Sequence, residues 1–463
     1  MGGHRRVHLG KRLALGLSLA AALSQSLVPS LALAQSEPMS LIRDTEIEET
    51  LKLDSAPLFK AAGLESGSIR ILLLGSKDLN AFAGPGVMAV FTGLILETKT
   101  PNELQGVIAH EVAHLAGGHS ARSEEMSQAG LKPFLLTMGL GVLAALAGNV
   151  EAGAILAANA SFFGALGAMG YSREQESRAD QAGATYLEAA GLSGKGLVTF
   201  FDNFRYQEVF SEARRFAYFR THPLSSDRIE ALRSRVGKLS HLDTPDTPDS
   251  LGRHAIMKAK LQGFINPNLA VVKCAEPKAD YPTRYACAIA QYQLKEPDRA
   301  LKLIEALLKE QPDNPYLWEL KGQILFEFGR TAEAEAPQRR SVSLKPDAPL
   351  LRVNLGQTLI ALPEPAKIDE GIHELKTALD QDEENSVAWR LLAQAYDSRS
   401  RDGLARYATA EYNYIEGDRR QAMIFALRAR DLLERNTPEW RRANDIVLAT
   451  ENDRQVRGGR GPG

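Results

Sequence analysis

The stretch NELQGVIAHEVAHLAGGH, residues 102–119, carries apolar residues at intervals of three and four, which predict an α-helix opened by Pro101. On such a helix His110 and His114 share one face, and Glu111 lies beside them. Two imidazoles at this spacing suit a zinc ion with open coordination positions, and the glutamate suits a general base. The stretch therefore predicts a metal-dependent hydrolytic site.

A third protein ligand decides between two arrangements of such a site. If the motif continued as H-x-x-G-x-x-H, Gly117 would be in place, but the third ligand would stand at Ser120. His119 comes one residue early, and a one-residue slip on a helix rotates a side chain by about 100°. This arrangement is therefore disfavoured.

The other arrangement takes a glutamate from a second helix, and SREQESRADQAG at 172–183 offers one. Glu176 can bind the metal, while Asp180, one helical turn later, can accept a hydrogen bond from a ligand imidazole and fix its tautomer. Glu174 is the competing ligand, but the residue four positions after it is Arg178. We therefore predict Glu176 as the third ligand.

The first 34 residues have the order of a secretory signal peptide. Basic residues come first, an apolar run follows from Leu13 to Leu23, and Ala32-Leu33-Ala34 ends the segment. The apolar run is shorter than the ~20 residues that span a bilayer. We therefore expect an exported protein cleaved after Ala34, and a permanent membrane anchor is the alternative.

The composition is that of a globular protein, with 44% hydrophobic residues, 24% charged residues and a formal net charge of −2. So weak a charge does not favour a nucleic-acid partner. The chain has two cysteines, Cys274 and Cys287. They could pair in an oxidising compartment, and the alternative is two small core residues.

Between Pro133 and Ser172 the only charged residue is Glu151. A transmembrane hairpin turning near Glu151 is one interpretation, because each half approaches the ~20 residues that span a bilayer. Several glycines and asparagines, and the lack of an aromatic belt, favour a buried or membrane-adjacent helical pair. The second interpretation allows peripheral membrane contact through 133–172.

Beyond Leu251 the sequence repeats with a period of 34 residues, so that Ala288 corresponds to Gly322 and Gly356. This period, with small residues at fixed positions, resembles tetratricopeptide repeats, whose paired helices pack closely only where side chains are small. Stacked helix pairs present a concave surface for protein or peptide partners. An irregular helical bundle is the alternative.

The segments at 102–119, YSREQESRADQAG at 171–183 and FRTHPLSSDRI at 219–229 resemble the zinc metallopeptidases of the HtpX and CAAX-prenyl-protease type. With its export signal and its repeats, the chain is most similar to the periplasmic BepA (YfgC) branch of that family. The resemblance covers most of the mature chain.

This resemblance implies one Zn²⁺ per chain with His110, His114 and Glu176 as ligands. It implies Glu111 as the catalytic base and Asp180 as the partner behind the ligands. The implied function is zinc-dependent endoproteolysis of misfolded or misassembled envelope proteins in the periplasm, in outer-membrane protein quality control and assembly. The implied partners are protein substrates and the outer-membrane protein assembly machinery, recruited through the repeats.

Two rival functions stay open. In one, the protein is a chaperone or assembly factor whose repeats do most of the work while the zinc site stays shut. In the other, it is an integral-membrane peptidase, an interpretation that depends on 133–172 alone.

The segment at 219–229 adds His222 and Arg228, which the resemblance places near the active site. A neutral His222 could occupy the open zinc position and silence the enzyme, or a protonated His222 could stabilise the oxyanion of the reaction. Arg228 could stabilise the oxyanion without any protonation requirement. The alternative for His222 is a His-Pro turn that caps the following helix.

The expected fold is mainly α. A gluzincin-type α+β peptidase domain with a small sheet is predicted at 36–250, a tetratricopeptide-repeat solenoid at 255–450, and a disordered tail at 451–463. Ile69 to Leu74 is predicted as a strand. Val87 to Thr92 is the candidate edge strand, to which a substrate could add by backbone pairing.

Overall fold

The computed structural model describes residues 40–117, 173–204, 222, 224–274 and 279–458. The predicted signal peptide, His119 and the apolar segment at 133–172 lie outside the described residues. Where the chain is described, none of its helices combines the length and the apolarity needed to cross a membrane.

A four-stranded sheet forms within the first described stretch. Its strands are β1 (Ser40–Ile42), β2 (Arg70–Gly75), β3 (Ala81–Gly84) and β4 (Val87–Phe91). The order across the sheet is β1-β2-β4-β3, with β2 parallel to β4 and both outer strands antiparallel to their neighbours. The strand predicted at 69–74 is confirmed as β2.

The prediction of an edge strand at 87–92 is wrong, because β4 lies inside the sheet. It pairs with β2 on one side and with β3 on the other, so both rows of its backbone groups are used. The turn between Gly84 and Val87 folds β3 back onto β4, and Gly86 there has a φ of 74°, which favours glycine. Within the described residues the sheet ends at β3 on one side and at β1 on the other.

Six described helices pack on the sheet and on one another. They are α1 (Thr45–Ala61), α2 (Thr92–Glu97), α3 (Pro101–Ala116), α4 (Arg173–Ala189), α5 (Lys195–Phe204) and α6 (Ser226–Val236). The predicted helix is confirmed as α3 up to Ala116, and α3 is buried at every residue from Pro101 to His114. At its start the Thr100 hydroxyl accepts from the Glu103 amide at 3.2 Å, and the Glu103 carboxylate accepts from the Lys99 amide at 2.7 Å.

The rest of the described chain is helical. Its helices are α7 (Pro248–Ile265), α8 (Pro267–Lys273), α9 (Tyr281–Gln293), α10 (Pro297–Glu310), α11 (Pro315–Glu327), α12 (Thr331–Leu344), α13 (Pro349–Ile360), α14 (Pro365–Gln381), α15 (Ser386–Ser398), α16 (Asp402–Ile415), α17 (Arg419–Leu432) and α18 (Pro438–Gly458). Because α18 continues to Gly458, the prediction of a disordered tail from residue 451 is wrong for most of that segment.

Small residues allow the helix pairs to approach, as the repeat pattern predicted. A Cβ added at Gly322 would lie 2.6 Å from the Gln338 side chain, and one added at Gly356 would lie 2.7 Å from the Leu375 side chain. Ala288 at the corresponding position is fully buried. The tetratricopeptide-like pairing of these helices is therefore confirmed.

Helix α7 contributes to two apolar cores. Met257 and Leu261 belong to the core of the sheet and α1 to α6, whereas Ile256 and Phe264 pack with the first repeat helices. The predicted division at residues 250–255 falls near the start of this helix, and its position stays a prediction.

Farther along, a disulfide joins Cys274 to Cys287 with their Cα atoms 5.7 Å apart, so the paired alternative is the one observed.

A buried lysine on α7 pairs with two carboxylates at the start of α1. The Lys260 ammonium lies 2.8 Å from the Asp44 carboxylate and 3.1 Å from that of Glu46. The Tyr285 hydroxyl donates to Glu46 at 3.0 Å, and the Tyr316 hydroxyl donates to Glu49 at 2.6 Å. Tyrosines of the first repeats are thus hydrogen-bonded to glutamates of α1.

Candidate metal centre

Three segments bring the predicted site residues together. Helix α3 carries His110, Glu111 and His114, α4 carries Glu176 and Asp180, and α6 carries Arg228 with His222 shortly before it. All seven side chains are buried, with 5% or less of each residue exposed. Ser225, not His222, caps α6, because the Ser225 hydroxyl accepts from the Arg228 amide at 3.3 Å.

Helices α3 and α4 approach closely at Gly183. A Cβ added there would lie 3.2 Å from the carbonyl group of Ala109 and from the amide nitrogen of His110. Because Gly183 lies on α4 two turns after Glu176, this contact sets how far the Glu176 carboxylate lies from the histidines on α3. Sequence spacing alone does not reveal such a contact.

Four ligand atoms converge within 4.8 Å of one another, one each from His110, His114, Glu176 and His222. The His110 Nε2 atom lies 3.1 Å from His114 Nε2 and 3.3 Å from His222 Nδ1. The Glu176 carboxylate lies 3.4 Å from His110 Nε2, 3.3 Å from His114 Nε2 and 2.9 Å from His222 Nδ1.

These separations fit a tetrahedral metal ion. Zinc binds imidazole nitrogen and carboxylate oxygen at about 2.0–2.2 Å, which places the ligand atoms of a tetrahedron about 3.3 Å apart. The measured separations of 2.9–3.4 Å match that value. The donors, three imidazoles and one carboxylate, are also those that zinc prefers.

Asp180 stands behind His110. Its Oδ1 atom lies 3.0 Å from His110 Nδ1, which leaves Nε2 of the same ring facing the other ligand atoms. A carboxylate in this position fixes the imidazole tautomer and orientation, as metal-binding histidines require. The arrangement is the one that the four-residue spacing of Glu176 and Asp180 predicted.

Arg228 faces the carboxylates of the site. Its Nε and Nη2 atoms donate to the two oxygens of Asp180 at 2.8 and 2.9 Å, and its Nη1 atom lies 3.0 Å from Glu176 Oε2. These contacts place the guanidinium against both carboxylates of the group. The sequence indicated that Arg228 lies near the site, but it did not indicate the contacts with Asp180 and Glu176.

The two carboxylates determine the charge of the site. Burial alone would raise the pKa of Glu176, but hydrogen bonds from His110, His114 and His222 outweigh it and hold the pKa well below its usual range. Burial would lower the pKa of His110, but Asp180 and Glu176 raise it to about 10. Burial lowers the pKa of His114 to about 3. The carboxylates therefore stabilise positive charge at the centre, as a cation requires.

Glu111 and His222 lie together on one side of the centre. His222 Nε2 is 3.5 Å from Glu111 Oε1, while Nδ1 of the same ring faces the ligand atoms. The competing ligand Glu174 lies away from the centre, because its exposed carboxylate pairs with Arg178 at 2.5 Å. One contact escaped the sequence reasoning entirely: the buried ring of Phe201, on α5, packs against His110. No motif pointed to it.

Comparison with known proteins agrees with this site. Residues 44–236 match peptidase family M48, and residues 285–349 match a tetratricopeptide repeat. The chain is 26% identical to the beta-barrel assembly-enhancing protease of Yersinia pestis over 76% of this chain and 72% of that protein. It is 22% identical to the protein of the same name from Escherichia coli (strain K12), over 77% and 73% of the two chains.

A shorter relative matches the peptidase half alone. Metalloprotease LoiP of Escherichia coli (strain K12) is 34% identical over 166 residues, which cover 35% of this chain and 60% of that protein. Residues 44–236 contain every residue of the candidate metal centre. They are similar to peptidase family M48, and the chain is a metalloendopeptidase in which tetratricopeptide-like helical repeats follow that region.

Proposed function

We propose that the metal is zinc and that the protein hydrolyses internal peptide bonds of envelope proteins. The observation that carries the proposal is the convergence of four buried ligand atoms, from His110, His114, Glu176 and His222, within 4.8 Å. The separations between them suit a tetrahedral ion, and the donor set suits zinc.

His110, His114 and Glu176 would hold the ion, and Asp180 would orient His110. When bound, zinc acts as a Lewis acid that polarises the peptide carbonyl and lowers the pKa of water. Glu111 is the general base: its carboxylate accepts the proton of the attacking water and returns it to the amine that leaves. Arg228 positions Asp180 and Glu176, which replaces the oxyanion role considered for it from the sequence.

His222 is proposed as the gate of the site. The Nδ1 atom of His222 lies among the ligand atoms, so with zinc bound His222 would occupy the fourth coordination position, which a catalytic zinc site keeps open for water and substrate. Peptide hydrolysis then requires His222 to leave that position. Its Nε2 atom, 3.5 Å from Glu111, also lies beside the base that must accept a proton.

Substrate would bind along β3. Among the described residues β3 is an outer strand of the sheet, so an extended peptide could pair with the edge that faces away from β4. Backbone pairing places little demand on substrate sequence, which suits an enzyme that acts on misfolded proteins. The strand that would pair with substrate is therefore Ala81–Gly84, and not the 87–92 strand predicted from the sequence.

The biological role rests on the relatives. Two of them are named beta-barrel assembly-enhancing proteases. We extend that role to this chain as quality control and assembly of outer-membrane proteins in the periplasm, after removal of a signal peptide at 1–34. The repeats would recruit substrate or the assembly machinery, because stacked helix pairs offer a surface for protein partners.

A second candidate function is a chaperone whose metal site stays shut, and the placement of His222 among the ligands favours it. Complementation separates the two functions. If Glu111→Gln restores envelope function as fully as the wild type, while deletion of residues 255–463 does not, proteolysis is not the main role. If Glu111→Gln fails to restore it, the chaperone function alone is insufficient.

Metal content tests the site directly. Mature wild-type protein should carry one zinc per chain, Glu176→Gln should lose most of it, and Glu111→Gln should keep it while losing peptidase activity. The Glu174→Gln variant is the matched control, because Glu174 is exposed and pairs with Arg178. Full zinc occupancy in Glu176→Gln would refute the ligand assignment.

A further inference from the structure

Phe201 is a fully buried ring on α5 that contacts two members of the metal centre. It lies edge-on to the His110 imidazole, with ring centres 5.9 Å apart and an interplanar angle of 85°. The Arg228 guanidinium carbon lies 5.7 Å from the centre of the same phenyl ring. One aromatic ring thus touches a candidate ligand and the arginine that pairs with the surrounding carboxylates.

The backbone fixes where this ring lies. A Cβ added at Gly106 of α3 would lie 2.7 Å from the Leu197 backbone on α5, and one added at Gly196 would lie 2.3 Å from the Asn102 carbonyl group. Four residues after Gly106 comes His110, and four residues after Leu197 comes Phe201. Since residues four apart share a helix face, the close contact at Gly106 continues directly into the contact between the two rings.

Two hydrogen bonds of the Asn102 side chain also hold the start of α5 against α3. The Asn102 amide group donates to the Ser193 carbonyl at 2.8 Å, and its oxygen accepts from the Gly196 amide at 2.7 Å. Both bonds are buried, so breaking either one leaves an unpaired polar group. These contacts fix the position of α5 on α3, and they therefore fix the orientation in which Phe201 meets His110.

The Phe201 ring restricts a motion of the His110 imidazole that the hydrogen bond to Asp180 leaves possible. Asp180 holds Nδ1 of His110, and the edge-to-face contact with Phe201 restricts rotation of the imidazole plane about that bond. The face of Phe201 also attracts the guanidinium of Arg228. We propose that Phe201 is a positioning residue of the metal centre, which fixes the imidazole of His110 and the guanidinium of Arg228 together.

This inference rests on the proposed zinc site and is tested on the mature full-length protein. The variants are Phe201→Leu and, in case that variant does not fold, Phe201→Met. Phe59→Leu is the matched control, because Phe59 on α1 is buried in the same apolar core. Two quantities are measured: the dissociation constant for Zn²⁺ by competition with a chelator, and the visible absorption spectrum of the Co²⁺-substituted protein.

We expect either Phe201 variant to bind Zn²⁺ about tenfold more weakly than Phe59→Leu does, as loss of an outer contact of a metal ligand commonly causes. The Co²⁺ bands should shift in the Phe201 variant and stay unchanged in the control. If the Phe201 variant and Phe59→Leu bind Zn²⁺ with equal affinity and give identical Co²⁺ spectra, the proposal is overturned while the zinc site stays intact. Failure of the wild type to bind Zn²⁺ would reject the site itself, and with it this role of Phe201.

Discussion

Arg228 and Asp180 form a bidentate ion pair behind His110, with Nε and Nη2 of the arginine 2.8 and 2.9 Å from the two carboxylate oxygens. Both residues are buried, so neither charge is screened by water. The geometry requires the planar fork of a guanidinium, which the point charge of an ammonium cannot reproduce. The pair therefore holds Asp180 in the one orientation from which it can fix the His110 imidazole.

Arg228→Lys should weaken zinc binding by about 10-fold or more, because the variant keeps the charge and loses the fork that orients Asp180. The measurement is the Zn²⁺ dissociation constant of the mature protein at fixed pH. Arg233→Lys is the control on the same helix, since Nη2 of Arg233 donates to both carboxylate oxygens of Asp202 at the surface, away from the metal centre. If both variants bind Zn²⁺ like the wild type, the pair does not position the site.

Gly183→Ala should reduce both stability and metal affinity. The new methyl group would meet the Ala109 and His110 backbone at 3.2 Å, so α4 must move outward and carry Glu176 with it. Overpacking of this kind costs about 1–3 kcal/mol of unfolding free energy, and the preference of a helix for alanine over glycine offsets about 1 kcal/mol of that loss. Chemical denaturation and zinc titration measure the two effects.

The control for that variant is Gly252→Ala on α7, where an added Cβ meets nothing within 4 Å. Alanine is favoured over glycine inside a helix by about 1 kcal/mol, so this variant should be neutral or stabilised and should bind zinc normally. A loss of stability in Gly252→Ala as large as that in Gly183→Ala would contradict the explanation by close helix contact.

The spacing of residues predicted much of this site. His110, His114, Glu176 and Asp180 lie on helices, where a separation of four residues places side chains on one face, and their local pattern determines their direction. Contacts between helices have no such pattern. The 3.2 Å contact at Gly183 and the edge-to-face contact of Phe201 depend on how α4 and α5 cross α3, and no residue spacing encodes those crossings.

The fold was predictable to a similar depth. The repeat period and its small residues indicated the helix pairs, because close packing demands small side chains at fixed intervals. The order of the sheet was not predictable: Val87 to Phe91 reads equally well as an edge or an inner strand. The strand at Val87 to Phe91 becomes an inner strand because the turn at Gly84 to Val87 folds β3 back onto its outer side.

Lys260→Met should destabilise the protein by about 3–5 kcal/mol, because removing one partner of a buried ion pair leaves the other charge unpaired. Here the carboxylates of Asp44 and Glu46 would lose their shared cation beneath the first repeats. Chemical denaturation measures the loss. Lys195→Met, which removes a largely exposed lysine paired with Asp243, should change stability by about 1 kcal/mol or less. Similar losses in the two variants would show that burial of Lys260 contributes little.

Glu416→Gln should stabilise the protein at alkaline pH and much less at acidic pH. Glu416 is 5% exposed, and within the described chain its Oε1 atom has no hydrogen-bond partner. Burial raises the pKa of this carboxyl from 4.5 to about 7. Between those two values the folded protein holds a proton that the unfolded chain has released, so stability falls as the pH rises through this range.

Glutamine mimics the protonated carboxyl and does not ionise. The advantage of Glu416→Gln over the wild type should therefore grow between pH 5 and pH 8, by on the order of 1–3 kcal/mol, in denaturation curves across that range. Glu333→Gln tests the sign, because the hydrogen bond from Arg330 lowers the pKa of that carboxyl. Its disadvantage should be complete above pH 5 and should shrink in more acidic solution. A constant difference between Glu416→Gln and the wild type from pH 5 to pH 8 would mean that Glu416 is ionised throughout, despite its burial.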